Sequence, residues 1–178
     1  MDSSIIKKKK PCILLGRFMP MHKGHQALIK QIEDLELIPI LVLGEALESD
    51  SRNPWDYHTG HCMIKNVYPD IPMAKLLDAE SWDEWGNNLK KIIALIEPIY
   101  GTPKIGIHDK DEDKQTFTFN GKEYKNKNYS AIFKELGIET ISLNPTGIKV
   151  RATSIRKDLE SNKEFLDEKI YKYIKENT

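Results

Sequence analysis

The sequence is short of cysteine, of net charge and of long apolar runs, and each shortage closes off a class of function. Two cysteines in 178 residues, Cys12 and Cys62, cannot build a disulfide framework. Cys12 falls inside an apolar run and is expected as a small core residue. Lysine plus arginine and aspartate plus glutamate both number 27, for a net charge of +0, so nothing in the balance asks for nucleic acid as a partner. The dense basic run, Lys7 to Lys10, is expected as a solvated N-terminal extension over residues 1–11. No apolar stretch approaches the ~18 residues of a membrane span. The opening residues lack a signal-peptide core, and the chain reads as cytoplasmic with no membrane partner. Internal repeats and linker-like stretches are missing too. Residues 12–178, at 39% hydrophobic content over the chain, therefore suit a single domain that buries ~70% of its unfolded surface.

Against these absences one stretch stands out, Gly16 to His25, reading GRFMPMHKGH. The apolar run Cys12 to Leu15 leads in as a short buried strand, and a helical pattern leads out near Gly24. A strand-to-helix turn suits an anion, because the first N–H groups of the helix have no internal partner and its dipole favours negative charge there. Arg17 and Lys23 add positive charge, and His22 and His25, three apart, share one helix face. Gly16 and Gly24 are expected where a ligand approaches the backbone closely. Two histidines without a nearby cysteine or third imidazole fall short of the usual zinc ligand set, so no protein-held metal site is expected.

Along the chain, Ala27, Leu28, Ile32 and Leu35 recur at helical spacing, predicting a helix from about Gly24 to Leu37 that Pro39 ends. The run Ile40 to Leu43, apolar throughout and stopped by Gly44, predicts a strand covered on both faces. Strand, helix and strand make the βαβ unit of a parallel sheet. The polar loop Glu45 to Tyr57 follows, then a helix from Thr59 to about Tyr68, a strand Pro72 to Leu77, a helix Trp82 to Tyr100 and a strand Lys104 to His108. Thr116 to Tyr124 alternates around Asn120-Gly121, a hairpin signal. A short helix Tyr129 to Leu136, a strand Ile138 to Leu143, a helix opening at Ala152-Thr153 and a closing helix Glu164 to Glu176 complete the reading. The fold class is α/β: a Rossmann-like, doubly wound, mainly parallel sheet of five to six strands with helices on both faces. Ligands of such sheets lie beyond the carboxyl ends of the strands.

Gly16 to His25 resembles GRFxPxHxGH, the phosphate-binding signature of the nucleotidylyltransferase superfamily, and Val150 to Arg156 (VRATSIR) resembles its second signature, I-S-(S/A)-T-x-I-R. Three further matches resemble the nicotinamide mononucleotide (NMN) adenylyltransferases of the archaeal kind and the same domain of bifunctional enzymes carrying a Nudix domain, for which this chain leaves no room. They are Asn53-Pro54-Trp55, the spacing from Asp78 to Trp85, and Gly106-x-His108-x-Lys110-Asp111. The resemblance implies transfer of AMP from ATP to NMN, giving NAD and pyrophosphate. In that chemistry a phosphate oxygen attacks the α-phosphorus in line, and the protein positions groups and neutralises charge.

By the same resemblance His22, His25 and Arg156 are catalytic. Gly16, Arg17, Phe18, Gly24, Lys110, Asp111, Thr153 and Arg156 hold ATP, with Mg2+ riding on its phosphates and on water. Trp85 is the expected platform for the nicotinamide ring, with Asp78, Asn53 and Trp55 beside it. The family is often oligomeric, which makes a homo-oligomer an expected assembly. Two departures bear on the acceptor: Arg151 stands where the second signature has a serine, and Gly60 where the family has an arginine after Asn53-Pro54. They keep two other readings open. One is nucleotidyl transfer to another phosphate, such as pantetheine phosphate or a polyol phosphate. The other is a nucleotide-binding module without catalysis.

Overall fold

In the computed structural model, residues 8–51, 53–108, 116–119, 122–125, 129–144 and 146–178 are described. Side chains of Pro11–Gly16 (β1) and Ile38–Glu45 (β2) are apolar on both faces from Pro11 to Leu15 and from Ile38 to Leu43, and both strands lie inside a parallel sheet covered from two sides. The sheet continues with Met73–Leu77 (β3) and Lys104–His108 (β4). A separate antiparallel hairpin of Thr116–Phe119 (β5) and Lys122–Lys125 (β6) intervenes before the last sheet strand, Thr140–Leu143 (β7). The order is β3-β2-β1-β4-β7 and every pairing is parallel. The expected parallel sheet is therefore present with five strands. The Asn120-Gly121 turn and the first seven residues of the basic extension lie outside the described residues.

The helices are Lys23–Asp34 (α1), Tyr57–Lys65 (α2), Trp82–Tyr100 (α3), Tyr129–Glu135 (α4), Ala152–Lys157 (α5) and Glu168–Asn177 (α6). Strand alternation sorts the core into two layers. Cys12, Leu14, Leu41 and Leu43 meet Leu28 and Ile32 of α1, Met63 and Ile64 of α2, and Ile170 and Ile174 of α6. Ile13, Ile40, Val42 and Ile105 meet Trp85, Leu89, Ile92 and Ile96 of α3 and Phe133 of α4. Because β1 feeds β2 on one side and is paired with β4 on the other, the strand order reverses between β1 and β4. A crevice forms there at the carboxyl ends.

Four local expectations are corrected. Helix α1 ends at Asp34 instead of Leu37, since Glu36 takes a left-handed conformation (φ 58°) and Leu37 N–H bonds back to the Ile32 carbonyl. That C-cap turn usually holds glycine, so its absence hid the end. Pro39 does not end a helix but sits inside β2 opposite Cys12. Its missing N–H falls on the β3 side, where pairing begins only at Leu41, so no ladder bond is lost. Gly44 also lies within β2, held by its pairing with Leu76. The closing helix is split into a short 3₁₀ turn, Lys163–Phe165, and α6, because Asp167 accepts the Lys169 N–H at 2.8 Å and caps a new start. Lys10, in the basic extension, already accepts the Ile38 N–H, so the sheet begins at the extension's end.

Candidate active site

The turn after β1 is pinned from beneath. Phe18, Met19 and Met21 are buried, and Phe18 has a left-handed backbone (φ 52°), uncommon for a bulky residue. Its ring folds back over Gly16, where a Cβ would stand 3.2 Å from the ring, and meets the His25 ring edge-on at 4.9 Å. The space that glycine opens at position 16 is thus filled by the Phe18 ring. Gly24 behaves likewise: a Cβ there would stand 3.0 Å from two atoms of the His22 imidazole.

His22 is the N-cap of α1 and only 8% exposed. Its Nδ1 accepts the Gly24 N–H at 3.1 Å, and its own N–H donates to His25 Nδ1 at 3.2 Å. A ring nitrogen that accepts a hydrogen bond bears no proton, so each neutral imidazole has its proton on Nε2. The rings stack at 3.8 Å and 24°. The turn therefore presents a pair of Nε2–H donors side by side, a suitable arrangement for two oxygens of one phosphate. This corrects the expectation for the helix start, since one of its free N–H groups is taken by His22 itself.

Both imidazoles line a cavity of about 900 Å3 at the carboxyl edge of the sheet. Arg17 and Phe18 join them from the turn, and Arg151, Thr153 and Arg156 from the start of α5. The loop after β2 contributes Glu48, Asp50 and Asn53, and Asp78 projects from the end of β3. Residues from the two sequence signatures are tied directly: Arg156 Nη1 donates to the Met19 carbonyl, and Nη2 to Thr153 Oγ1 at 3.4 Å. Burial pushes the Arg156 guanidinium below its ordinary range, and Asp50 pulls the other way. Arg17 Nη2 pairs with Asp78 Oδ2. Among the described residues, Arg17 Nη1, Arg156 Nε and Asn53 Oδ1 are buried without a hydrogen-bond partner. Each such atom costs about 1–3 kcal/mol, and two of the three are guanidinium donors that anionic oxygens would satisfy.

A second cavity of about 330 Å3 lies against the same histidines, between Leu28, His108 at the end of β4 and the Thr146 to Val150 loop. His22 and His25 line both cavities and stand between them. A third, of about 360 Å3, opens beside the loop after β2 and is walled by Trp55.

Of the residues expected from sequence, Arg17, Phe18, His22, His25, Asn53, Asp78, Thr153 and Arg156 are brought to the large cavity. Trp85 is not. It is 8% exposed, stacks on Trp82 at 4.7 Å, and belongs to the α3 core layer. Its spacing to Leu89, Ile92 and Ile96 puts it on the buried helix face, a periodicity visible in the sequence. Lys110 and Asp111 lie outside the described residues. Sequence reasoning did not assign Glu48, Asp50 or the Met19 carbonyl, none of which has a motif to mark it. Arg151 was noticed only as a departure, yet it lines the cavity.

No family model matches the chain, and no curated protein does. Solved structures resemble it in fold. A bifunctional NMN adenylyltransferase/ADP ribose pyrophosphatase from Francisella tularensis superposes with a TM-score of 0.72 at 18% identity, over 94% of this chain and 49% of that one. Its complex with AMP and a manganese ion gives 0.71 at 17%. This chain thus spans about half the length of that protein. Plasmodium falciparum nicotinic acid mononucleotide adenylyltransferase, solved with NaAD, gives 0.61 at 17% identity over 94% of this chain and 95% of that one. The α/β fold of the chain is the fold of these adenylyltransferases.

Proposed function

We propose that the protein is a nucleotidylyltransferase of the adenylyltransferase kind, which transfers AMP from ATP to NMN and releases NAD and pyrophosphate. The observation that supports this most is the position of the histidine pair. Two Nε2–H donors stand between two cavities, one lined by arginines and the other by a helix and a loop. That is the layout of a transfer between two ligands at a shared phosphate. The smaller cavity would take the adenosine of ATP, and the larger one the phosphates and the acceptor.

In this reading His22 and His25 donate to oxygens of the α-phosphate, whose negative charge is redistributed as the acceptor's phosphate oxygen adds and pyrophosphate leaves. Donors fixed by the backbone need no rearrangement at that moment. Thr153 and Arg156 hold the departing phosphates. Arg156 is itself held by the Met19 carbonyl, so the clamp on the leaving group moves with the turn that holds the α-phosphate. Arg17, paired with Asp78, faces the acceptor side, where Asn53 also lies. Lys110 and Asp111 remain part of the proposal on the ATP side. Mg2+ would enter on the triphosphate and would neutralise phosphate charge there, with Glu48 and Asp50 as carboxylates of the same cavity.

The test is pyrophosphate release by the purified protein with Mg2+, ATP and either NMN, nicotinate mononucleotide, pantetheine phosphate or ribitol phosphate. Release with NMN, matched by NAD, supports the proposal. Release with another acceptor alone keeps nucleotidyl transfer and removes NMN. ATP binding without release under any condition removes the enzyme reading.

A further inference from the structure

The two facing walls of the smaller cavity belong to different ends of the chain. His25 and Leu28 come from α1, and the stretch from Thr146 to Val150 comes from the loop between β7 and α5. That loop leaves the sheet at its edge, since β7 is the last strand in the order and its pairing with β4 stops at Leu143. The next residue, Asn144, is held by a side chain. Its N–H donates to Gln31 Oε1 at 2.8 Å, and its carbonyl accepts from Gln31 Nε2 at 2.9 Å. One amide thus meets both backbone polar groups of one residue, the pairing that a neighbouring strand offers. Farther along, the loop bonds to itself across a left-handed Gly147 (φ 71°): the Ile148 N–H donates to Thr146 Oγ1 at 3.3 Å, and the Val150 N–H to the Ile148 carbonyl at 3.2 Å. Gln31 follows His25 on the same helix at about 9 Å along the axis. It lines neither the large nor the smaller cavity, whereas Asn144 lines the smaller one.

We propose that Gln31 is a positioning residue for the nucleotide: through Asn144 it sets how far the loop stands from α1, and so the width of the cavity assigned to adenosine. The inference rests on that assignment under the adenylyltransferase reading and adds to it the group that keeps the cavity formed. Two bonds to one backbone fix both the place and the orientation of Asn144, which a single bond would not. Without them the start of the loop is free to leave the sheet edge, and the ordering it must then undergo when a nucleotide binds weakens the affinity. The effect is confined to the adenosine side. His22 and His25 are oriented by bonds within their own turn, and Arg156 by the Met19 carbonyl, and none of these bonds passes through Gln31.

The test compares the full chain with Gln31→Ala, Gln31→Glu and Lys30→Ala, the last of which removes an exposed pair with Asp34 on the same helix. Calorimetry with Mg2+ reads the binding of ATP and, separately, of inorganic triphosphate, which lacks the adenosine; steady-state constants are measured beside them. Alanine is favourable inside a helix, so Gln31→Ala should fold. It is expected to weaken ATP binding and raise the KM for ATP about tenfold, with triphosphate binding, kcat and the KM for NMN within about twofold. Lys30→Ala is expected to match wild type. Gln31→Glu keeps the acceptor for the Asn144 N–H but turns a carboxylate toward the Asn144 carbonyl. Its ATP binding should be weak at about pH 8 and approach that of wild type at the same pH as the carboxyl gains a proton toward about pH 5, which restores a donor. ATP binding unchanged in Gln31→Ala, or weakened equally in Lys30→Ala, or lost in step with triphosphate binding, overturns the positioning role and leaves the adenylyltransferase reading standing. A wild-type protein that binds no ATP overturns both.

Discussion

In the proposed transfer the two ring nitrogens of His25 have separate duties, and substitution can separate them. Its Nδ1 accepts the His22 N–H, which holds the turn, while Nε2–H is the donor assigned to the phosphate. Asparagine has an acceptor oxygen at the reach of Nδ1 and nothing at the reach of Nε2. His25→Asn should therefore melt within a few degrees of wild type and turn over about 100-fold more slowly. His25→Ala should lose the same activity and about 1 kcal/mol of stability besides. Full turnover in His25→Asn would remove the donor role. Thiol chemistry tests the core in the same way. Burial pushes Cys12 up to about 12, so at pH 8 only about one molecule in ten thousand has its thiolate there. A thiol reagent should modify Cys62 in the native protein and reach Cys12 only after denaturation. Two native thiols would contradict the burial of β1.

At the scale of elements, the start of α1 shows why the motif contains a glycine. An alanine inside a helix is ordinarily better than glycine by about 1 kcal/mol. At Gly24, however, the new Cβ would press on the His22 ring at 3.0 Å. Gly24→Ala should melt no lower than wild type and lose about tenfold in turnover, since donors displaced by tenths of an ångström stabilise the transfer less. Helix α3 makes the opposite case. Leu89 is 0% exposed between the helix and β-strand residues, and Leu89→Ala should cost about 2–5 kcal/mol, read by denaturant unfolding, without touching the site. Helix α3 was legible in the sequence over its whole length because its periodicity is long and regular. The end of α1 was not, since Glu36 takes a conformation that glycine usually announces. Pro39 and Gly44 read as breakers because single residues do not show which side of a strand goes unpaired.

At the scale of the molecule, the order β3-β2-β1-β4-β7 places the Gly16 to His25 turn at the strand reversal and delivers Thr153 and Arg156 to it from the other end of the chain. The two signatures were visible because they consist of side chains whose chemistry is specific. Their meeting was foreseeable from the parallel βαβ pattern. Of the residues expected to hold the acceptor, Asn53 and Asp78 line the large cavity, and Trp85 lies in the core, where its helical spacing to Leu89 already pointed. The cavity walled by Trp55 is lined almost wholly by the polar loop that the sequence marks from Glu45 to Tyr57, although none of its carboxylates, Glu45, Glu48 and Asp56, belongs to a motif.

The most direct measurement follows a label. ATP labelled at the α-phosphorus is incubated with the protein, Mg2+ and NMN, and the products are separated. Label in a dinucleotide, with unlabelled pyrophosphate formed in equal amount and both lost together in His25→Asn, is the expected result. Label left in ATP, or released as free AMP without any dinucleotide, would contradict nucleotidyl transfer at the histidine pair.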